Sequence, residues 1–205
     1  MEEQASKRIV VMTGASKGIG LEIVKQLASN GIMVLFTARD VKIGTEVVEK
    51  LKDSGFSDMV FHQLDVSDTA SIASLADFIK TEFGKLDILV NNAAVLGIFV
   101  DLQDLDSSTK ESIEKGEASS FFKLLDAAVE DYEKTEECFN INYYGTKKAI
   151  DALMPFLQLS HSPRIVNVSS SAGKLQVDMP DFLNAHTGLP QQSLAVNKKP
   201  EMDSP

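Results

Sequence analysis

Several short polar clusters in this chain carry side chains suited to holding a charged ligand or moving a proton, and each follows an apolar run. The first is Thr13-Gly14-Ala15-Ser16-Lys17-Gly18-Ile19-Gly20, after Ile9-Val10-Val11-Met12. Glycines at 14, 18 and 20 let the backbone turn sharply and bring a pyrophosphate onto N–H groups at the positive end of the following helix. Arg39 comes next, directly after Phe36-Thr37-Ala38, and offers a permanently charged fork to a phosphate, with Lys17 as a second cation. The competing reading leaves both cations facing solvent. Asp65, in Leu64-Asp65-Val66, can accept from an adenine amino group or cap the helix beginning near Thr69, a task open also to Ser67 and Asp68. In Asn91-Asn92-Ala93-Ala94, paired amides and small side chains leave room for a flat ribose-nicotinamide; a plain turn is the alternative.

Other chemistry is poorly supported. His62, His161 and His186 show no metal-ligand spacing, so no metal is expected, and the single cysteine, Cys138, reads as a buried helix position rather than a nucleophile. A net charge of -10 repels phosphate backbones, and no basic patch stands out for nucleic acid. No apolar run reaches ~18 residues, which argues against a membrane span. The charged opening, Met1 to Arg8, lacks the apolar stretch of a secretory signal, and the cytoplasm is the expected location.

The elements needed to position these clusters alternate along the chain. Apolar runs at about 8–12, 32–37, 59–64, 86–91 and 164–168 predict strands; helical patterns at about 18–29, 41–54, 69–83 and 132–158 predict the helices around them. In the first helix Leu21, Ile23, Val24, Leu27 and Ala28 form the apolar side, with Glu22, Lys25 and Gln26 opposite. The runs Val34-Leu35-Phe36 and Ile88-Leu89-Val90 are too continuously apolar for half-exposed strands and belong inside a parallel sheet. The predicted fold is therefore α/β, a doubly wound parallel sheet of Rossmann type occupying residues 1–173. Residues 97–131 read as an acidic, partly helical insertion carrying Asp101, Asp104, Asp106, Glu111, Glu114 and Glu117. Residues 174–205, with Pro180, Pro190, Pro200 and Pro205, read as a poorly ordered, divergent tail.

Together with Asn142-Tyr143-Tyr144-Gly145 and the run from Ile165 through Ser169-Ser170-Ser171 to Gly173, these clusters resemble the short-chain dehydrogenase/reductase family over residues 8–173. The closest likeness is to its plant branch acting on terpenoids and alkaloids. The resemblance implies NADP(H) as cofactor, held by Gly14, Ser16, Lys17, Gly18, Ile19, Gly20, Arg39, Asp65, Val66, Asn91 and Ala93. It implies reduction of a ketone or aldehyde, or oxidation of the alcohol, on a small apolar molecule. A monomer is implied as well, because the insertion lies over the surface other members use to associate. Ser170 matches the serine that polarises the carbonyl, and Asn142 the asparagine that holds a relay water.

The likeness stops at the proton donor. The family places a Tyr-x-x-x-Lys pair after the serine, but the last tyrosine here is Tyr144, and Lys174, Lys198 and Lys199 have no tyrosine four residues before them. The expectation is a C-terminally truncated, catalytically impaired reductase; a non-catalytic NADP-binding or interaction protein is the alternative. Without its next strand the sheet should also be incomplete at its C-terminal edge, open to self-association near Ile165-Val166.

Overall fold

The computed structural model describes residues 7–101, 103, 105–115 and 127–170. The expected tail lies outside the described residues, as do Lys174, Lys198 and Lys199, and Asp104, Glu117, Phe121, Phe122, Leu124 and Leu125 of the insertion. The chain divides into two units, Met1–Val168 and Ser169–Pro205, and all elements below belong to the first.

Five strands form a parallel sheet: β1 (Ile9–Met12), β2 (Met33–Ala38), β3 (Met59–Gln63), β4 (Ile88–Asn91) and a last strand, β7 (Arg164–Asn167). Their order is β3-β2-β1-β4-β7. The chain builds outward from β1 through β2 and β3, then returns to the other side of β1 for β4, so the connections leaving β1 diverge and open a crevice at its carboxyl end. Register follows the apolar runs, with Val10 opposite both Val34 and Ile88 and Met12 opposite both Phe36 and Val90.

Side-chain alternation divides the core into two layers. Val10 and Met12 pack with Val24, Val34, Phe36 and Val48, beneath α1 (Gly18–Ser29) and α2 (Val41–Asp53). Ile9 and Val11 pack the opposite way with Leu35, Leu75, Ile79 and Leu153, beneath α3 (Thr69–Glu82) and a later helix. β1 is buried throughout, which explains why it reads as a continuous apolar run. β7 is the exception: its neighbour on one side is β4, and Ile165 and Val166, on opposite faces, remain 39% and 46% exposed.

The insertion contains more regular structure than its composition suggested. β5 (Ile98–Phe99) pairs antiparallel with β6 (Val129–Glu130), and α4 (Ser107–Glu114) lies between them in sequence. Strands of two residues show no periodicity, so no pattern could announce them.

The long helix expected over 132–158 is three segments: α5 (Tyr132–Cys138), a π-helical turn at Phe139–Gly145, and α6 (Thr146–Leu157). A π turn shifts the pattern by a single residue and leaves the apolar spacing nearly helical, which is why sequence reads one helix. Its last residue explains part of the Asn142-Tyr143-Tyr144-Gly145 motif. A Cβ at Gly145 would meet the Val66 carbonyl oxygen at 2.8 Å and Val66 Cγ2 at 2.9 Å, so the glycine lets this stretch press against the loop after β3.

Candidate functional site

At the crevice beyond β1 lies a cleft of about 430 Å3. Its walls are the glycine turn from Gly14 to Gly20, Ala38 and Arg39 at the end of β2, Leu64-Asp65-Val66 after β3, Asn92 to Val95 after β4, and Ile141 of the π turn.

The glycine turn is held from behind. Thr13 Oγ1, buried, accepts from the N–H groups of Asn92 (2.9 Å) and Ala93 (3.0 Å). Asn92 Nδ2 donates to the carbonyls of Thr13 (3.1 Å) and Gly14 (2.9 Å). Ala15 N–H donates to Thr37 O, and Thr37 Oγ1 donates to Met12 O at 2.8 Å. Gly14 has φ +63°, and a Cβ there would sit 2.8 Å from Ala93 Cα; the loop and the end of β4 touch backbone to backbone. Gly20 is as confined, since its Cβ would collide with Gly14 O and lie 2.6 Å from Asn92 Nδ2. Gly18, at φ +57°, differs: a Cβ there meets nothing within 4 Å.

The mouth of α1 is the clearest sign of what this cleft takes. Asp40, Asp68, Asp106 and Asp131 cap α2, α3, α4 and α5, each accepting a backbone N–H of the first turn. α1 has no side-chain cap and no acidic residue in its first turn, and it opens on the cleft. Its first-turn donors and its dipole are left for an anion from outside. Lys17 and Arg39, both exposed on the same cleft, make no ion pair among the described residues. A glycine cradle, an uncapped helix and two available cations fit the phosphates of a dinucleotide.

Asp65 does not cap α3; Asp68 does, accepting from Ala70 N–H at 2.9 Å. Asp65 Oδ1 accepts from Ser67 N–H (2.9 Å) and Ser67 Oγ–H (2.6 Å), which fixes the carboxylate, while Oδ2 makes no hydrogen bond among the described residues. Val66 and Ala93 line the cleft as well, as do Ser16 and Ile19.

Asn91 lies elsewhere. It is buried as the last residue of β4, its Nδ2 donates to Asn167 Oδ1 of β7 at 2.9 Å, and its Oδ1 has no partner among the described residues. The cleft wall is its neighbour Asn92, absent from the expected cofactor residues. The strand's end separates the two: Asn91 is the last residue of β4, whereas Asn92 opens the loop that lines the cleft.

Asn142 is committed to the backbone. Its Oδ1 accepts from Val95 N–H and its Nδ2 donates to Val95 O, both at 2.9 Å, with Cys138 Sγ 3.2 Å from Nδ2. It ties the π turn to the loop that forms the cleft's far wall. Ser170 stands three residues beyond β7 in the chain, within the second unit. Among the described residues, no tyrosine, histidine or cysteine stands on the cleft walls; Tyr143 and Tyr144 are 59% and 50% exposed. Among the described residues no three His, Cys, Asp or Glu side chains are placed to hold a metal ion, and no helix is long and apolar enough to cross a membrane.

The sequence profile of the short chain dehydrogenase family matches residues 8–180. The chain is 54% identical over 178 residues to salutaridine reductase of Papaver somniferum, across 83% of itself and 56% of that protein. It is 52% identical over 176 residues to (+)-neomenthol dehydrogenase of Arabidopsis thaliana, across 84% of itself and 57% of that protein. Among solved structures, menthone neomenthol reductase of Mentha piperita superposes with a TM-score of 0.72 at 45% identity, over 88% of this chain and 66% of that one. The chain thus spans little more than half the length of the curated relatives it matches.

Proposed function

The chain belongs to the short-chain dehydrogenase/reductase family, and from that footing we propose that it binds NADP(H) in the cleft beyond β1 but turns over little or no carbonyl substrate with these 205 residues alone. The observation that carries the reading is the uncapped mouth of α1 opening on a cleft with Lys17 and Arg39 beside it. First-turn N–H groups of α1 hold the pyrophosphate, the two cations hold the 2'-phosphate, and the free oxygen of Asp65 accepts from the adenine amino group. One charge-assisted hydrogen bond is worth about 1.5–3 kcal/mol, enough to prefer NADPH over NADH by roughly tenfold or more. When bound, the cofactor supplies a hydride.

The names of the relatives point to the substrate class: a small apolar ketone of terpenoid or alkaloid type, or the corresponding alcohol. Asn142 serves by holding Val95 in the cleft wall, and Ser170 supplies the hydroxyl that polarises the carbonyl. Within these 205 residues no tyrosine comes after Ser170, so none of them supplies the phenol that the family places there to protonate the alkoxide. Loss of a general acid removes roughly 10²–10⁴ in rate. The test is NADPH oxidation by the purified chain with a cyclic monoterpene ketone such as menthone. The expected result is no turnover above the enzyme-free control; measurable turnover abolished by Ser170→Ala would overturn it.

A further inference from the structure

Arg39 borders a second groove besides the cofactor cleft. This groove, of about 300 Å3, is lined by Glu133, Glu136 and Glu137 of α5 and meets the cleft at Arg39 and Ile141. Spacing explains the arrangement: positions 133, 136 and 137 fall on one face of a helix, continued by Asn140 into the π turn. Glu137 is matched by Lys134 Nζ at 3.0 Å. Glu133 and Glu136 make no ion pair among the described residues, and neither does Arg39. Exposed helix carboxylates ordinarily do no more than solvate a surface. These share a groove with the guanidinium that the proposed function assigns to the 2'-phosphate, and three acidic groups placed to hold a metal ion are not found among the described residues.

We propose that Glu133 and Glu136 are specificity-determining counter-charges, which weaken binding of a 2'-phosphorylated adenine nucleotide while leaving the 2'-hydroxyl form almost untouched. The inference rests on the proposed role of Arg39. Glu133, Glu136 and Arg39 line one groove, so the carboxylates share the field around whatever sits at Arg39, and added salt screens that effect. Two effects share one sign. The carboxylates repel the phosphate dianion, and they compete with it for the guanidinium. A 2'-hydroxyl carries no charge for either effect to act on.

The experiment compares 2',5'-ADP with 5'-AMP, which probe the adenosine end alone, by calorimetric titration of the full chain and of the Glu133→Gln/Glu136→Gln double variant. The variant should bind 2',5'-ADP about 3–10-fold more tightly at about 50 mM salt, change by less than about twofold toward 5'-AMP, and lose most of the gain at about 500 mM salt. Unchanged or weaker 2',5'-ADP binding in a variant of unaltered melting temperature overturns the proposal, as does an equal gain for both nucleotides. A wild-type chain that fails to distinguish the two nucleotides, or binds neither, overturns the role of Arg39 and this inference with it. Retained discrimination that ignores the glutamines overturns the inference alone.

Discussion

At the amino end of the sheet Asp87 is 4% exposed, and its carboxylate is fully occupied: Ile9 N–H donates at 2.9 Å, Lys85 Nζ at 3.3 Å, and Ser160 Oγ–H makes a short bond. At the carboxyl end the polar groups are left open, with α1 uncapped, Arg39 and Lys17 unpaired among the described residues, and one oxygen of Asp65 free of hydrogen bonds there. Both ends belong to the same five strands, so strand composition alone does not distinguish them. The difference lies in the residues flanking each strand: a satisfied network locks β1, β4 and the turn after α6 together, while glycines and cations leave room for a ligand. Stability and binding should therefore separate by mutation.

The largest effect should come from Asp87→Ala. It strips the Ile9 N–H and the Ser160 hydroxyl of their buried acceptor, and each orphaned group costs about 1–3 kcal/mol, so a loss near 3 kcal/mol is expected in denaturant unfolding. Nucleotide affinity of the folded fraction should stay unchanged. A loss under about 0.5 kcal/mol would show that the amino end is not the lock described here.

Arg39→Ala should do the reverse. Removing one charge-assisted partner should weaken NADPH roughly 10–100-fold, change NADH by less than about threefold, and leave the melting temperature in place. Equal losses for both cofactors would mean that Arg39 supports the loop rather than the phosphate.

The smallest effect is a pH dependence confined to the amino end. Burial pushes the Asp87 carboxyl upward, but the hydrogen bonds from Ser160, Ile9 and Lys85 outweigh it, and its pKa lies below the ordinary 3.8. A carboxyl lowered on folding binds protons more readily when unfolded, so it contributes stability that is fully present above about pH 4 and is lost as pH falls through the folded value. The stability gap between wild type and Asp87→Asn should hold constant above about pH 4 and narrow as pH falls below it; a gap that does not change with pH would contradict the shift.

The sheet was readable in the sequence because its inner strands β1, β2 and β4 are buried on both faces and need no alternation to stand out. Val10 to Met12 and Leu35-Phe36 are unbroken apolar runs bounded by turns, and α1 occupies the expected 18–29. The cleft was readable where one residue type has few uses, as with the glycines and Arg39. It was less so where two like residues adjoin: Asn91 ends β4 and pairs with Asn167, while Asn92, one residue past the strand, lines the cleft. The π turn escaped notice because inserting one residue barely alters helical spacing, yet it brings Asn142 onto Val95 and Gly145 onto Val66. Glu133 and Glu136 carry no sequence signal beyond charge on a helix; the fold is what brings them into one groove with Arg39.

Whether the open carboxyl end is an NADP(H) cradle is tested most directly by the melting temperature of the full chain with saturating NADPH, saturating NADH and neither. A ligand that binds only the folded state stabilises it by mass action, so NADPH should raise the midpoint clearly and NADH less. Equal shifts would remove the case for Arg39 and Lys17 as 2'-phosphate ligands, and no shift with either nucleotide would contradict the cradle itself.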